Sequence, residues 1–169
     1  SEWRGTFSHD GGALTNQGIH HVDLLTYLGG EVSRVNSSMR TMGADIEVED
    51  TVVASLEYEH GALGIIECTT AARPLDFEAS ISIVGEKGLA QIGGIAVNKL
   101  EVFTQDPKEC DKNSENFEGL EGKGAVYGYG HFKIYEDIVS HYNRDQEYPI
   151  NEEECMKTLR PLESFYKSH

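Results

Sequence analysis

The chain has 169 residues, enough for one domain with a proper hydrophobic core. Its formal net charge is −15, from 29 acidic against 14 basic residues, and such a field repels phosphate backbones and anionic membranes, arguing against nucleic-acid and membrane roles. Cys68, Cys110 and Cys155 are odd in number with no CxxC spacing, which reads as reduced thiols of a cytoplasmic protein; no apolar run reaches membrane-spanning length.

Ser1 to His9 is predicted as a short extended lead-in, with Trp3, Thr6 and Phe7 as strand-favouring side chains. The next stretch, GGALTNQGIHHVD at Gly11 to Asp23, begins as a glycine turn and runs on as a helix to Leu28. Leu14, Gly18, Val22 and Leu25 make its buried stripe, and Gly29-Gly30 stops it. Asn16 and His20, four apart, share a face of an α-helix, and Asp23 is placed to accept a hydrogen bond from the His20 ring. An imidazole so placed suits alcohol oxidation, where a base takes the hydroxyl proton as hydride leaves the carbon. Equally, His20 fits a helix histidine held by its neighbours. His9, Asp10, His20, His21 and Asp23 also invite a metal, but adjacent helical histidines point about 100° apart. No metal site is expected.

Glu31 to Met42 is predicted as a strand and Gly43 to Asp50 as an acidic loop. From Thr51 the period is two: Val52, Ala54, Leu56 and Tyr58 alternate with Val53, Ser55 and Glu57, a strand with one buried face. Glu59-His60-Gly61 turns into a strand within Ala62 to Ala72, and Arg73-Pro74 ends it. Phe77 to Ile83 alternates again, Gly85 to Gly88 is a tight turn, and Leu89 to Ile92 and Val97 to Phe103 complete six strands. Gln105 to Ala125 is a polar loop. A helix follows with Phe132, Ile134, Tyr135, Ile138, Val139 and Tyr142 at helical spacing. Asn151 caps the last helix, with Met156, Leu159, Leu162, Phe165 and Tyr166 as its core stripe. The predicted fold is α+β: about six mostly antiparallel strands in an open sheet, one face covered by helices. No Gly-x-Gly-x-x-Gly follows a strand, so a dinucleotide-binding fold is not expected within these residues.

The words GGALTNQGIHHVDLLTYLGG, preceded by Trp3-Arg4-Gly5, resemble the glucose–fructose oxidoreductase, inositol dehydrogenase and MocA family of NAD(P)-dependent oxidoreductases, in its second, substrate-side domain. The resemblance continues through Val52 to Gly94 and returns at Gly130 to Tyr166. Many members carry an aspartate where this chain has Asn16, and an amide orients rather than relays a proton. Asn16-Gln17 is similar to the UDP-N-acetylglucosaminuronate 3-dehydrogenase branch.

The resemblance implies one C-terminal domain spanning residues 1–169, with the nucleotide-binding (Rossmann) domain lying outside this chain and holding NAD or NADP. It implies oxidation of a sugar secondary alcohol, with His20 as acid/base and Asn16 and Gln17 positioning the reacting hydroxyls. Trp3 and Arg4 would touch substrate or cofactor; a surface role for Arg4 stays open. His131, at its helix start, faces either the substrate or solvent. The resemblance further implies a homo-oligomer through the sheet face and an inactive isolated fragment. The net negative charge is in tension with a UDP-sugar, whose phosphates need local positive charge. A non-catalytic sugar-binding or assembly module of the same fold, or an inositol or free-sugar dehydrogenase, are the alternatives.

Overall fold

The computed structural model describes residues 4–75, 77–94, 96–112 and 128–168. It forms two compact units, Ser1–Arg73 with Ile150–His169, and Pro74–Pro149. The six predicted strands are present, every pair is antiparallel, and they divide into two open three-stranded sheets, one in each unit.

The first unit opens on a turn, not the predicted extended lead-in. The Asp10 carboxylate accepts from the Gly5 and Thr6 amides at 2.8 and 3.2 Å, and Gly5 has φ +75°, so the chain curls back on itself. A π-helical turn, Leu14–Gly18, then runs into helix α1, Ile19–Gly29. Leu14, Gly18 and Val22 are buried as the stripe predicts. Gly30, at φ +89°, ends α1 and returns its N–H to the Thr26 carbonyl at 2.9 Å.

Strands β1 (Val32–Arg40), β2 (Thr51–Tyr58) and β3 (Leu63–Thr69) follow in the spatial order β1-β2-β3. The period-two pattern of β2 holds throughout: Val52, Ala54, Leu56 and Tyr58 face the core, and Val53, Ser55 and Glu57 face outward. Outside, Val53 lies opposite Ser38 and Glu67, and Ile65 opposite Ser55. The last helix of the chain, Glu152–Lys167, packs on α1 and β1; Asn151 Oδ1 accepts from the Glu154 amide at 3.1 Å, as an N-cap should. Its inward stripe is shifted from the predicted one. Thr158, Pro161, Leu162 and Phe165 are buried, while Met156 and Leu159 are 41% and 45% exposed. Thr158 turns inward because its hydroxyl donates to the Asp23 carboxylate on α1, which sets the rotation of the helix.

The second unit carries β4 (Ile81–Gly85), β5 (Gly88–Gly93) and β6 (Lys99–Phe103), ordered β4-β5-β6. Strand β4 begins four residues later than the alternation suggested, leaving Phe77 exposed. A single turn, α2 (Glu109–Lys112), breaks the predicted polar loop, of which residues 113–125 lie outside the described residues. Helix α3 (Gly130–Asn143) forms as expected, but none of its residues is buried. The last helix of the chain is therefore α4.

The loop between β1 and β2 is organised by Asp50, which is 1% exposed. Its carboxylate accepts from the amides of Met42, Gly43 and Ala44 at 2.9, 2.6 and 3.0 Å and from the Thr51 hydroxyl at 2.9 Å. Burial alone would raise its pKa, but these four donors outweigh that and hold it below the usual carboxylate value. The stability Asp50 supplies is therefore complete above its unfolded pKa of about 4 and is lost as pH falls through the lower folded value. Asp50→Asn should cost about 1–3 kcal/mol at pH 7. Urea unfolding should show the gap to wild type shrinking at pH 3, and a gap independent of pH would contradict this account.

Candidate functional site

The segment that carries the predicted site residues begins at a close approach. Gly12 lies so near Glu49 that a Cβ added there would sit 1.9 Å from Glu49 Oε2, so a larger residue would displace the carboxylate. The amides that open a helix have no partner within it. Here the Ala13 amide donates to the Glu49 carbonyl at 2.9 Å, and the Leu14 amide donates to Glu49 Oε1 at 3.1 Å. The same oxygen accepts the Tyr166 hydroxyl from α4 at 2.8 Å. Glu49 is 8% exposed, and a carboxylate at the amino end of a helix is favourably placed against the helix dipole.

With Leu14 and Gly18 pressed inward, Asn16, Gln17 and His20 are left exposed. Gln17 Nε2 donates to Asn16 Oδ1 at 2.8 Å, so the two amides orient each other. Hydrogen bonds in a π-helix span five residues rather than four. The bonded amide pair precedes the imidazole along the same exposed segment. The Asp23 hydrogen bond is to the Thr158 hydroxyl, on its Oδ1, and not to His20. His21 is half-buried, and burial, with the adjacent His20 charge, lowers its pKa.

Arg4 is exposed in the turn that precedes the glycines, and His131 is exposed in the first turn of α3, within the second unit. Trp3 lies outside the described residues. Among the described residues no group of three or more His, Cys, Asp or Glu comes together as a metal cage, and no helix is long and apolar enough to cross a membrane. Among the described residues all strand pairs are antiparallel, so these residues include no parallel strand–helix–strand unit to cradle a pyrophosphate. Two amides and an imidazole at the surface instead suit hydroxyl groups: the amides donate and accept, and the imidazole takes a proton.

Glu49 and Tyr166 escape the sequence reading. Glu49 sits in what reads as an acidic loop, and Tyr166 reads as core. Burial, opposed by hydrogen bonds from Thr15 and aided by Glu49, pushes the Tyr166 hydroxyl up to about 12. A raised folded pKa means its stabilisation is complete below the unfolded value of about 10 and lost as pH climbs towards the folded one. Tyr166→Phe leaves a buried carboxylate short of a donor, and should cost about 1–3 kcal/mol at pH 8. Denaturation midpoints of the two proteins should converge above pH 10; a constant difference up to pH 11.5 would argue against the Tyr166–Glu49 bond.

This arrangement matches known proteins over nearly its whole length. The chain is 35% identical to the WlbA dehydrogenase from Bordetella pertussis, solved in complex with NADH and UDP-GlcNAcA, at a TM-score of 0.84 over 99% of this chain and 48% of that one. It is 32% identical to the WlbA dehydrogenase from Chromobacterium violaceum, solved with the same two molecules, at a TM-score of 0.79 over 99% of this chain and 46% of that one. A D-apiose dehydrogenase from Paraburkholderia graminis is 27% identical over 92 residues, 53% of this chain and 24% of that protein. The chain thus spans about half the length of the solved relatives and about a quarter of the curated one. Residues 1–91 match the GFO/IDH/MocA C-terminal domain, and on that match, which covers more than half of the 169 residues, the chain belongs to the GFO/IDH/MocA family.

Proposed function

We propose that this chain is the substrate-side domain of a cytoplasmic NAD(P)-dependent dehydrogenase that oxidises a secondary alcohol of a nucleotide sugar, of the 3-dehydrogenase type. The observation that carries the reading is the 35% identity, across 99% of the chain, to an enzyme holding NADH and UDP-GlcNAcA. The exposed Asn16, Gln17 and His20 support it, because they offer hydroxyl-binding and proton-accepting groups on one helical segment.

In this reading the bound cofactor, held mainly by a separate nucleotide-binding domain, supplies a hydride acceptor. His20 removes the hydroxyl proton as the carbon–hydrogen bond gives up its electron pair, and the alcohol becomes a ketone. Asn16 and Gln17 hold the reacting hydroxyls, with the amide pair fixed by its own hydrogen bond. Trp3 and Arg4 contact the substrate, Arg4 giving positive charge towards a diphosphate. The 169 residues alone carry no dehydrogenase activity in this account. The outward face of the first sheet, with Val53 and Ile65 exposed, is the homo-oligomer contact.

A second reading, a sugar-binding module without chemistry, draws on Asn16, whose amide cannot relay a proton. An inositol or free-sugar substrate is the remaining variant. Turnover separates the first from the module, and a substrate screen separates the sugars.

In the intact enzyme, His20→Ala should lower kcat by about 10²–10⁴-fold and change KM far less, because the proton moves only in the transition state. Steady-state kinetics with nucleotide sugars checks this, and near-normal kcat in the variant would remove His20 from the chemistry.

A further inference from the structure

We propose that Glu49 is a positioning residue of this site: its buried carboxylate holds the turn from Gly12 to Gly18 in the π-helical form that presents Asn16 and Gln17 ahead of His20. The inference rests on the reading of those three residues as the substrate site.

Four observations carry it. Glu49 is almost fully buried, yet among the described residues no ion pair engages it. A buried carboxylate without a cation is costly unless donors surround it. The donors here are the Leu14 amide and the Tyr166 hydroxyl, and the Glu49 carbonyl takes the Ala13 amide as well. The residue therefore caps a helix start 35 positions away in sequence, where Ala13 has no side-chain cap to offer.

The turn it caps is π-helical, a geometry that is rare and recurs at functional sites. Without that cap the Ala13 and Leu14 amides lose their partners and the turn that carries Asn16 and Gln17 loses its anchor. Gly12 completes the clamp, because the carboxylate occupies the space a side chain would need.

Helix α1 is anchored independently. Val22 is buried in the core, and Asp23 is tied to Thr158 on α4. Loss of the Glu49 clamp should therefore move the amide pair while leaving the His20 backbone in place. The expected signature is a defect in substrate orientation with an unchanged pH–rate profile, unlike removal of the base itself.

The test compares Glu49→Ala and Glu49→Gln in the intact enzyme, with wild type and His20→Ala beside them. Glu49→Ala should lower kcat/KM by about 10–100-fold, expressed mainly as a raised KM, since a small misplacement of positioning groups costs that much. Glu49→Gln keeps an oxygen for the Leu14 amide and should restore kcat/KM to within about threefold of wild type. Hydrogen exchange supplies a readout that needs no turnover. In Glu49→Ala the amides of Ala13 and Leu14 should exchange faster, while Val22 and Leu25 stay protected. If Glu49→Ala does not fold, Tyr166→Phe should raise KM in the same direction by a smaller factor. Full activity in His20→Ala, or no turnover by wild type, would defeat the catalytic reading, and the exchange pattern would still decide the role of Glu49. A Glu49→Ala enzyme that melts earlier but keeps wild-type KM and slow exchange at Leu14 would overturn the proposal.

Discussion

A buried carboxylate without a cation must be held by hydrogen bonds, and the first unit is assembled around one that is. Glu49 gathers the Leu14 amide from the start of the first helix and the Tyr166 hydroxyl from the end of the last. Three segments far apart in sequence thus meet at one side chain. Its neighbour Asp50 does the same for the turn at Met42 to Ala44, which fixes the loop that delivers Glu49 to its place. Both acids replace solvent with oriented N–H and O–H dipoles, the arrangement that lets a charge stay buried.

The exposed face of the glycine-led helix follows from that anchoring. With Leu14, Gly18 and Val22 packed inward, Asn16, Gln17 and His20 are left on the exposed side. Cys68 shows the opposite condition: burial, then the nearby Glu49 charge, raises its pKa, and its Sγ lies 3.7 Å from the Ala13 carbonyl. Its thiol is a packing group and a poor nucleophile. The chemistry proposed for this domain therefore lies on one face of one segment, and the charge that supports it lies on the opposite face.

The second unit is built differently. Its helix α3 has the apolar spacing of a core helix, yet Phe132, Tyr135 and Tyr142 are 69%, 67% and 84% exposed. Amphipathic spacing marks a helix that has an apolar face; it does not say what lies against that face.

Much of the fold was legible locally. Hairpins at Gly61 and at Gly85 to Gly88, the alternation of β2, the Leu14–Val22 stripe and the Asn151 cap depend on residues within a few positions of one another, and each is present. The family was legible as well, because its motif is contiguous. Only the tertiary structure decided the rest: the division of the strands into two sheets, the π-helical first turn, the Thr158 hydroxyl on Asp23, and the burial of Glu49 and Asp50 with the Tyr166 hydroxyl on Glu49. The physical reason is that periodicity and propensity act over one or two turns. The cost of burying a charge is settled by donors arriving from residues 14, 42 to 44 and 166, and no local pattern records their approach.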